Sequence, residues 1–152
     1  MSIKVVATNR KAKFEYFLLD RYEAGIALQG SEIKSVRAGQ VSLTDSYVQV
    51  DGREAWLVNA HIAPYDKASR FNHDPKRPRR LLLHRREILE LWNAVRQKGV
   101  TIVPVQMYLK NGLAKVEIAI AKGKKLYDKR HEIAKRDEER EISREESRRY
   151  RF

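Results

Sequence analysis

The 152-residue chain contains no cysteine, which excludes disulfides and any zinc site built on thiolates. That composition fits a reducing compartment. No apolar run approaches the roughly 20 residues that a membrane-spanning helix needs. The N-terminal "MSIKVVATNRKAK" also lacks the apolar h-region of a signal peptide. A cytoplasmic protein with no membrane partner is therefore expected. Catalytic signatures are equally scarce, with no GxSxG elbow, no P-loop and no HExxH or HxxxH spacing. The four histidines, His61, His73, His84 and His131, fall in different segments and are read as exposed or hydrogen-bonded, so no metal or cofactor is expected. Asp45, Glu54 and Glu117 are the carboxylates that a metal-dependent nuclease could use. Glu117, however, alternates opposite an apolar strand face and the other two sit near turns, so solvated surface is the better reading.

What the chain has in excess is positive charge. Lys and Arg total 32 against 20 Asp and Glu, a net charge of +12, and the pI is near 10.0. In a chain with room for one ordinary domain, such a surplus points to a polyanionic partner, nucleic acid first. Apolar residues make up 42%, which argues against wholesale disorder.

The apolar pattern is mostly that of strands. In "FEYFLLDRYEAGIALQG", Phe14, Tyr16 and Leu18 alternate as in a half-buried strand, and Gly25 suggests a bulge or tight bend. "SEIKSVRAG" predicts a short helix with Ser31 as N-cap and Gly39 at its close. Two hairpins are signalled by Asp51-Gly52 and Asn111-Gly112, pairs favoured where both central turn residues need positive φ. Between them, Ile88, Leu91, Trp92 and Val95 fall at helical spacing ahead of Gly99. This order predicts a mainly β fold: a small, partly open, OB-like antiparallel Greek-key barrel of about six strands with flanking helices. The expected division is residues 1–122 for the barrel and 123–152 for a basic C-terminal tail.

Several basic clusters are candidate RNA contacts. "NHDPKRPRRLLLHRRE" concentrates Arg77, Arg79, Arg80, Arg85 and Arg86, with Pro75 and Pro78 stiffening the loop and Leu81-Leu82-Leu83 holding it to the body. Such cations neutralise phosphates and release counterions. Asn9, Arg10 and Lys11 precede the first aromatic strand, where Asn could read base or ribose edges and the cations hold phosphate. From Lys122 onward there are 12 Lys or Arg against 8 Asp or Glu, a net of +4, leaving +8 on residues 1–121. In that tail Arg136, Arg140, Arg144 and Arg148 recur every four residues, a helical stripe suited to ordering on an anionic surface. The same pattern fits an ordinary solvated helix or a disordered tail.

"ATNRKA", "YEAGIALQGSEIKSVRAGQVSLTDSYV", "NHDPKRPRRLLLHRREI" and "AKGKKLYDKR", in this order and spacing, closely resemble the bacterial small protein B family, the SsrA-binding proteins. The resemblance runs from about Ala7 to Arg130. It implies an OB-like barrel with flanking helices and a protein that is not an enzyme. It also implies a role in trans-translation, with transfer-messenger RNA bound at its tRNA-like domain and delivered with elongation factor Tu to stalled ribosomes. The protein is expected to be a monomer. The resemblance places Asn9 and Glu23 on the RNA-binding face, with Lys34 and Arg37 as nearby backbone contacts. It implies that Lys124 and Lys125 hold rRNA or the RNA elbow and that Tyr127 stacks on a base. It ties Gly123, Asp128, Lys129 and Arg130 to the decoding centre, and the arginine stripe beyond them to the empty mRNA channel. From the residues alone, a general RNA-binding or ribosomal protein remains an alternative, and a nuclease a remote one.

Overall fold

The computed structural model describes residues 3–65 and 73–123. The elements are β1 (Ile3–Thr8), α1 (Arg10–Glu15), β2 (Tyr16–Ile26), α2 (Gly30–Arg37), β3 (Val41–Ser42) and β4 (Tyr47–Val50). They continue with β5 (Ala55–Val58), β6 (His61–Ile62), β7 (Arg79–Leu82), α3 (Arg85–Lys98), β8 (Thr101–Lys110) and β9 (Leu113–Gly123). Seven strands form one antiparallel sheet in the order β1-β8-β9-β2-β7-β5-β4, and β3 pairs with β6 in a ladder of its own. The mainly β, antiparallel class is the one expected, but the described strands number nine, not about six. Nor is the sheet a closed barrel. β4 lies against β8, so the sheet curls over its core, yet its order ends at β1 and β4.

The core lies inside that curl. Leu57, Ile62, Ile102, Met107 and Ile118 from the strands meet Val36 of α2 and Leu91 of α3, all fully buried. Each such aliphatic side chain contributes about 1.5–3 kcal/mol over an exposed position. In β9 the inward Val116, Ile118 and Ile120 alternate with the outward Lys115 and Glu117, as the sequence pattern indicates.

The two hairpin signals resolve differently. Asn111 and Gly112 take φ values of 53° and 83° and directly join Lys110 to its partner Leu113, a tight turn as predicted. At the other site only Gly52 has positive φ, at 89°. There Asp51 Oδ1 accepts from the N–H groups of Arg53 (2.9 Å) and Glu54 (2.8 Å), and a longer loop results. The Trp92 ring of α3 lies over Gly52, 3.4 Å from where a Cβ would stand.

Three local expectations are corrected. Phe14 is not in a strand. Asn9 caps the short helix α1, which carries Phe14 outward at 79% exposure, and β2 begins only at Tyr16. Gly25 is not a bulge, since the register of β2 shifts between Leu18 and Arg21 while Gly25 pairs regularly with Leu82 and Lys115. The N-cap of α2 is Gln29, in a reciprocal capping box with Glu32, whereas Ser31 bonds His73 Nδ1 at 2.8 Å. α3 ends at Gly99 in the left-handed region, as expected.

Candidate nucleic-acid interface

Some of the residues expected to touch RNA are built into the fold. Asn9 is buried. Its Oδ1 accepts from Ala12 N–H (3.1 Å), and its Nδ2 donates to the carbonyls of Leu43 (3.2 Å) and Pro104 (2.9 Å). Its own N–H donates to Val105 O at 2.8 Å. The register of β8 shifts between Pro104 and Gln106, and Asn9 satisfies carbonyls at that irregularity. It is therefore a structural pin and not a surface reader of bases.

Arg79 is likewise fully buried. Its Nε lies 2.7 Å from Glu32 Oε2, and its terminal nitrogens donate to the carbonyls of Ala60 (2.8 Å) and Pro75 (3.1 Å). Arg77 grips the same carboxylate, with Nη2 2.6 Å from Oε1 and Nε 3.2 Å from Oε2. Burial raises the Glu32 carboxyl, but the bonds from Arg77, the Gln29 N–H and Arg79 outweigh it and hold the group below the usual carboxylate range. The basic loop is thus half internal: Arg79 is withdrawn from any RNA, Arg77 is half-buried, and Arg80, paired with Glu54 at 3.3 Å, faces solvent.

The outward face of β8, β9 and β2 is the polar surface that the fold leaves open. Two rungs cross it. In one, Gln106, Glu117 and Glu23 stand abreast, and in the next come Tyr108, Lys115 and Gly25. Like charges directly opposite on neighbouring strands are destabilising unless compensated. Here each carboxylate has its own partners. Gln106 Nε2 donates to Glu117 at 3.0 Å and Arg21 lies 3.6 Å from it. The Tyr108 hydroxyl donates a short hydrogen bond to Glu23 Oε2, and Lys110 Nζ lies 3.5 Å from Oε1. The Tyr108 bond holds the Glu23 carboxyl below its usual range, with Lys110 and Lys115 adding to that against the upward push of burial. Burial and the Glu23 carboxylate together push the Tyr108 hydroxyl well above its ordinary value.

Glu23 lines a cleft of about 550 Å³ of mixed charge, in which Arg53, Arg80 and Lys115 stand with the carboxylates Glu54 and Glu87 and with Gly25. A side chain at Gly25 would crowd Leu82, whose Cβ lies 3.3 Å from the missing Cβ. Leu82 is 51% exposed and separates this cleft from a more apolar depression that Leu113, 64% exposed, also lines. Cations for phosphate, acceptors for base or ribose donors and apolar surface for bases thus lie side by side.

The sequence reading missed Tyr108, Lys110, Lys115 and Leu82. The alternation of Gln106, Tyr108 and Lys110 with Val105, Met107 and Leu109 could have placed the first two on an outer strand face. Nothing local distinguishes the exposed Leu82 from its buried neighbour Leu81.

Of the other candidates, Arg10 is exposed on α1, and Lys11 is bound to Asp45 at 2.7 Å. Lys34 lies 5.5 Å from the Tyr65 ring centroid, and Arg37 borders the apolar depression. Arg85 and Arg86 open α3 and are exposed. Gly123 is the final residue of β9. Lys124, Lys125, Tyr127, Asp128, Lys129, Arg130, Arg136, Arg140, Arg144 and Arg148 lie outside the described residues. The three nuclease carboxylates each have a cation of their own: Asp45 with Lys11, Glu54 with Arg80 and Glu117 with Arg21. No group of three or more His, Asp or Glu among the described residues could hold a metal, and no described helix is long and apolar enough to cross a membrane.

Comparison with known proteins gives a consistent picture. A family model described as SmpB protein matches residues 6–148. The SsrA-binding protein of Desulforudis audaxviator is 56% identical over 141 residues, covering 93% of this chain and 92% of the relative. That of Sulfurihydrogenibium sp. is 57% identical over 142 residues, covering 93% of each. A chain of a solved structure described as "tmRNA-SmpB: a journey to the center of the bacterial ribosome" is 49% identical. It superposes with a TM-score of 0.65 over 77% of this chain and 82% of that one.

Proposed function

The chain belongs to the SmpB protein family, and from that premise we propose that it is a transfer-messenger RNA-binding factor of trans-translation. It acts by binding, in the cytoplasm and as a monomer, with no reaction of its own. Its globular part binds the tRNA-like domain of the RNA and brings it, with elongation factor Tu, to stalled ribosomes. The segment from Gly123 to Arg130 engages the decoding centre, and Arg136, Arg140, Arg144 and Arg148 follow the empty mRNA channel. The observation that carries the reading is Glu23, held as a carboxylate by Tyr108 and Lys110 in a cleft it shares with Arg53, Arg80 and Lys115. On a protein of net charge +12, a fixed carboxylate is unsuited to phosphate. It suits the amino, imino or 2′-hydroxyl donors of a structured RNA.

The test compares affinity for transfer-messenger RNA with that for bulk structured RNA at matched physiological salt. Selective binding is expected, weakened in Glu23→Gln. Removing the residues after Gly123 is expected to leave RNA affinity intact and abolish peptide tagging. Equal affinity for both RNAs would overturn the specific assignment, and loss of binding in the truncated chain would overturn the two-part division.

A further inference from the structure

We propose that Tyr108 is a positioning residue for RNA recognition, fixing the plane of the Glu23 carboxylate so that one oxygen stays available to RNA donors. This rests on the assignment of Glu23 to the RNA-binding face. Tyr108 itself is nearly buried between β1 and β9, at 7% exposure, so it acts on RNA only through Glu23.

The surroundings show why such a device is needed. Lys110 lies 3.5 Å from Glu23, Lys115 stands on the adjoining rung, Glu117 is directly opposite, and Arg80, paired with Glu54, lines the same cleft. A freely rotating carboxylate among these groups would fold onto an ammonium and spend its lone pairs there. The Tyr108 hydroxyl prevents this by occupying Oε2 from a rigid, buried ring. Oε1 meets Lys110 only at 3.5 Å, looser than a charge-assisted hydrogen bond, and keeps acceptor capacity. Gly25, on the adjoining rung, lines the same cleft and adds no side chain of its own, with Leu82 packed against it. The ligand chemistry selected is a hydrogen-bond donor, a 2′-hydroxyl or a base amino or imino group, and a phosphate is rejected by the fixed negative charge.

A double-mutant cycle on the full chain tests this, with transfer-messenger RNA as the probe. Tyr108→Phe is expected to weaken binding about 3- to 10-fold, the size of one net hydrogen bond. The same substitution in a Glu23→Gln background is expected to change affinity little. In Tyr108→Phe, an NMR titration of the Glu23 carboxyl is expected to move upward in pH, a shift that lost packing alone does not produce. Glu23→Asp keeps both the charge and Tyr108 but withdraws the carboxylate by one methylene. It is expected to lose as much affinity as Tyr108→Phe, which covers the case of a poorly folded tyrosine variant. Equal losses from Tyr108→Phe in both backgrounds would overturn the positioning role, as would unchanged affinity. Wild-type affinity in Glu23→Gln would instead remove Glu23 from the interface, and the proposal with it.

Discussion

Glu32 and Arg79 show how a single residue can be misread when charge is counted without partners. Both are fully buried and satisfy one another, with Arg77 closing the carboxylate from outside. Removing one member of a buried pair strands the other, and Glu32→Gln or Arg79→Met is expected to cost about 3–5 kcal/mol of stability by chemical denaturation. Because the folded Glu32 carboxyl lies below its ordinary value, its contribution is complete above the unfolded pKa, near 4.5. It is lost as pH falls through the lower folded value. Melting curves of Glu32→Gln should therefore show a shallower acid limb than wild type. Asn9 carries the same lesson. Its type and place suggested base reading, but its partners are the carbonyls of residues 34 and 95 positions away, which no local pattern announces. Asn9→Ala is expected to cost about 2–4 kcal/mol through a lost cap and unsatisfied carbonyls. RNA affinity, corrected for the folded fraction, should then be unchanged.

At the scale of elements, the sequence was legible wherever the pattern was periodic. The β8–β9 hairpin and α3 sit where the turn pair, the helical spacing and Gly99 placed them. It failed where a side chain overrides local propensity. The Asn9 cap draws Phe14 and Glu15, the start of the apparent strand, into α1, and Asp51 draws a tight turn into a longer loop. The β8–β9 turn offers a direct check, because Gly112 sits at φ 83° with no atom within 4 Å of an added Cβ. Gly112→Ala should therefore cost about 1–2 kcal/mol by backbone strain alone. A melting temperature equal to wild type would mean that the turn relaxes to another form. The rungs of the candidate site were legible only in part: Glu117 was placed on the outer face, but the pairing of β2, β8 and β9 that sets Tyr108 beside Glu23 is not written in any one segment.

For the whole molecule, the +12 charge pointed to a polyanion, and the fold decides which cations are available to it. Arg79 is withdrawn, Lys11 is engaged by Asp45 and Arg80 by Glu54, whereas Arg53 and Lys115 line one cleft. Neutralising a cation that meets phosphate should reduce the dependence of log K on log salt by about 0.7–0.9. Lys115→Gln is expected to show that change in titrations between about 50 and 200 mM salt. Glu23→Gln should weaken binding with the salt slope intact. An unchanged slope in Lys115→Gln would take that lysine out of contact with the phosphate backbone.

β9 runs from the Glu23 face to Gly123 and is paired with β8 on one side and β2 on the other. Flanked in this way, it cannot stretch. The eight steps from Lys115 to Gly123 span roughly 27 Å at about 3.3–3.4 Å per residue. The strand is in effect a ruler. On the proposed assignment, the chain beyond Gly123 begins at one set distance from RNA bound at the cleft, so that the strand would also measure the gap between the two partners.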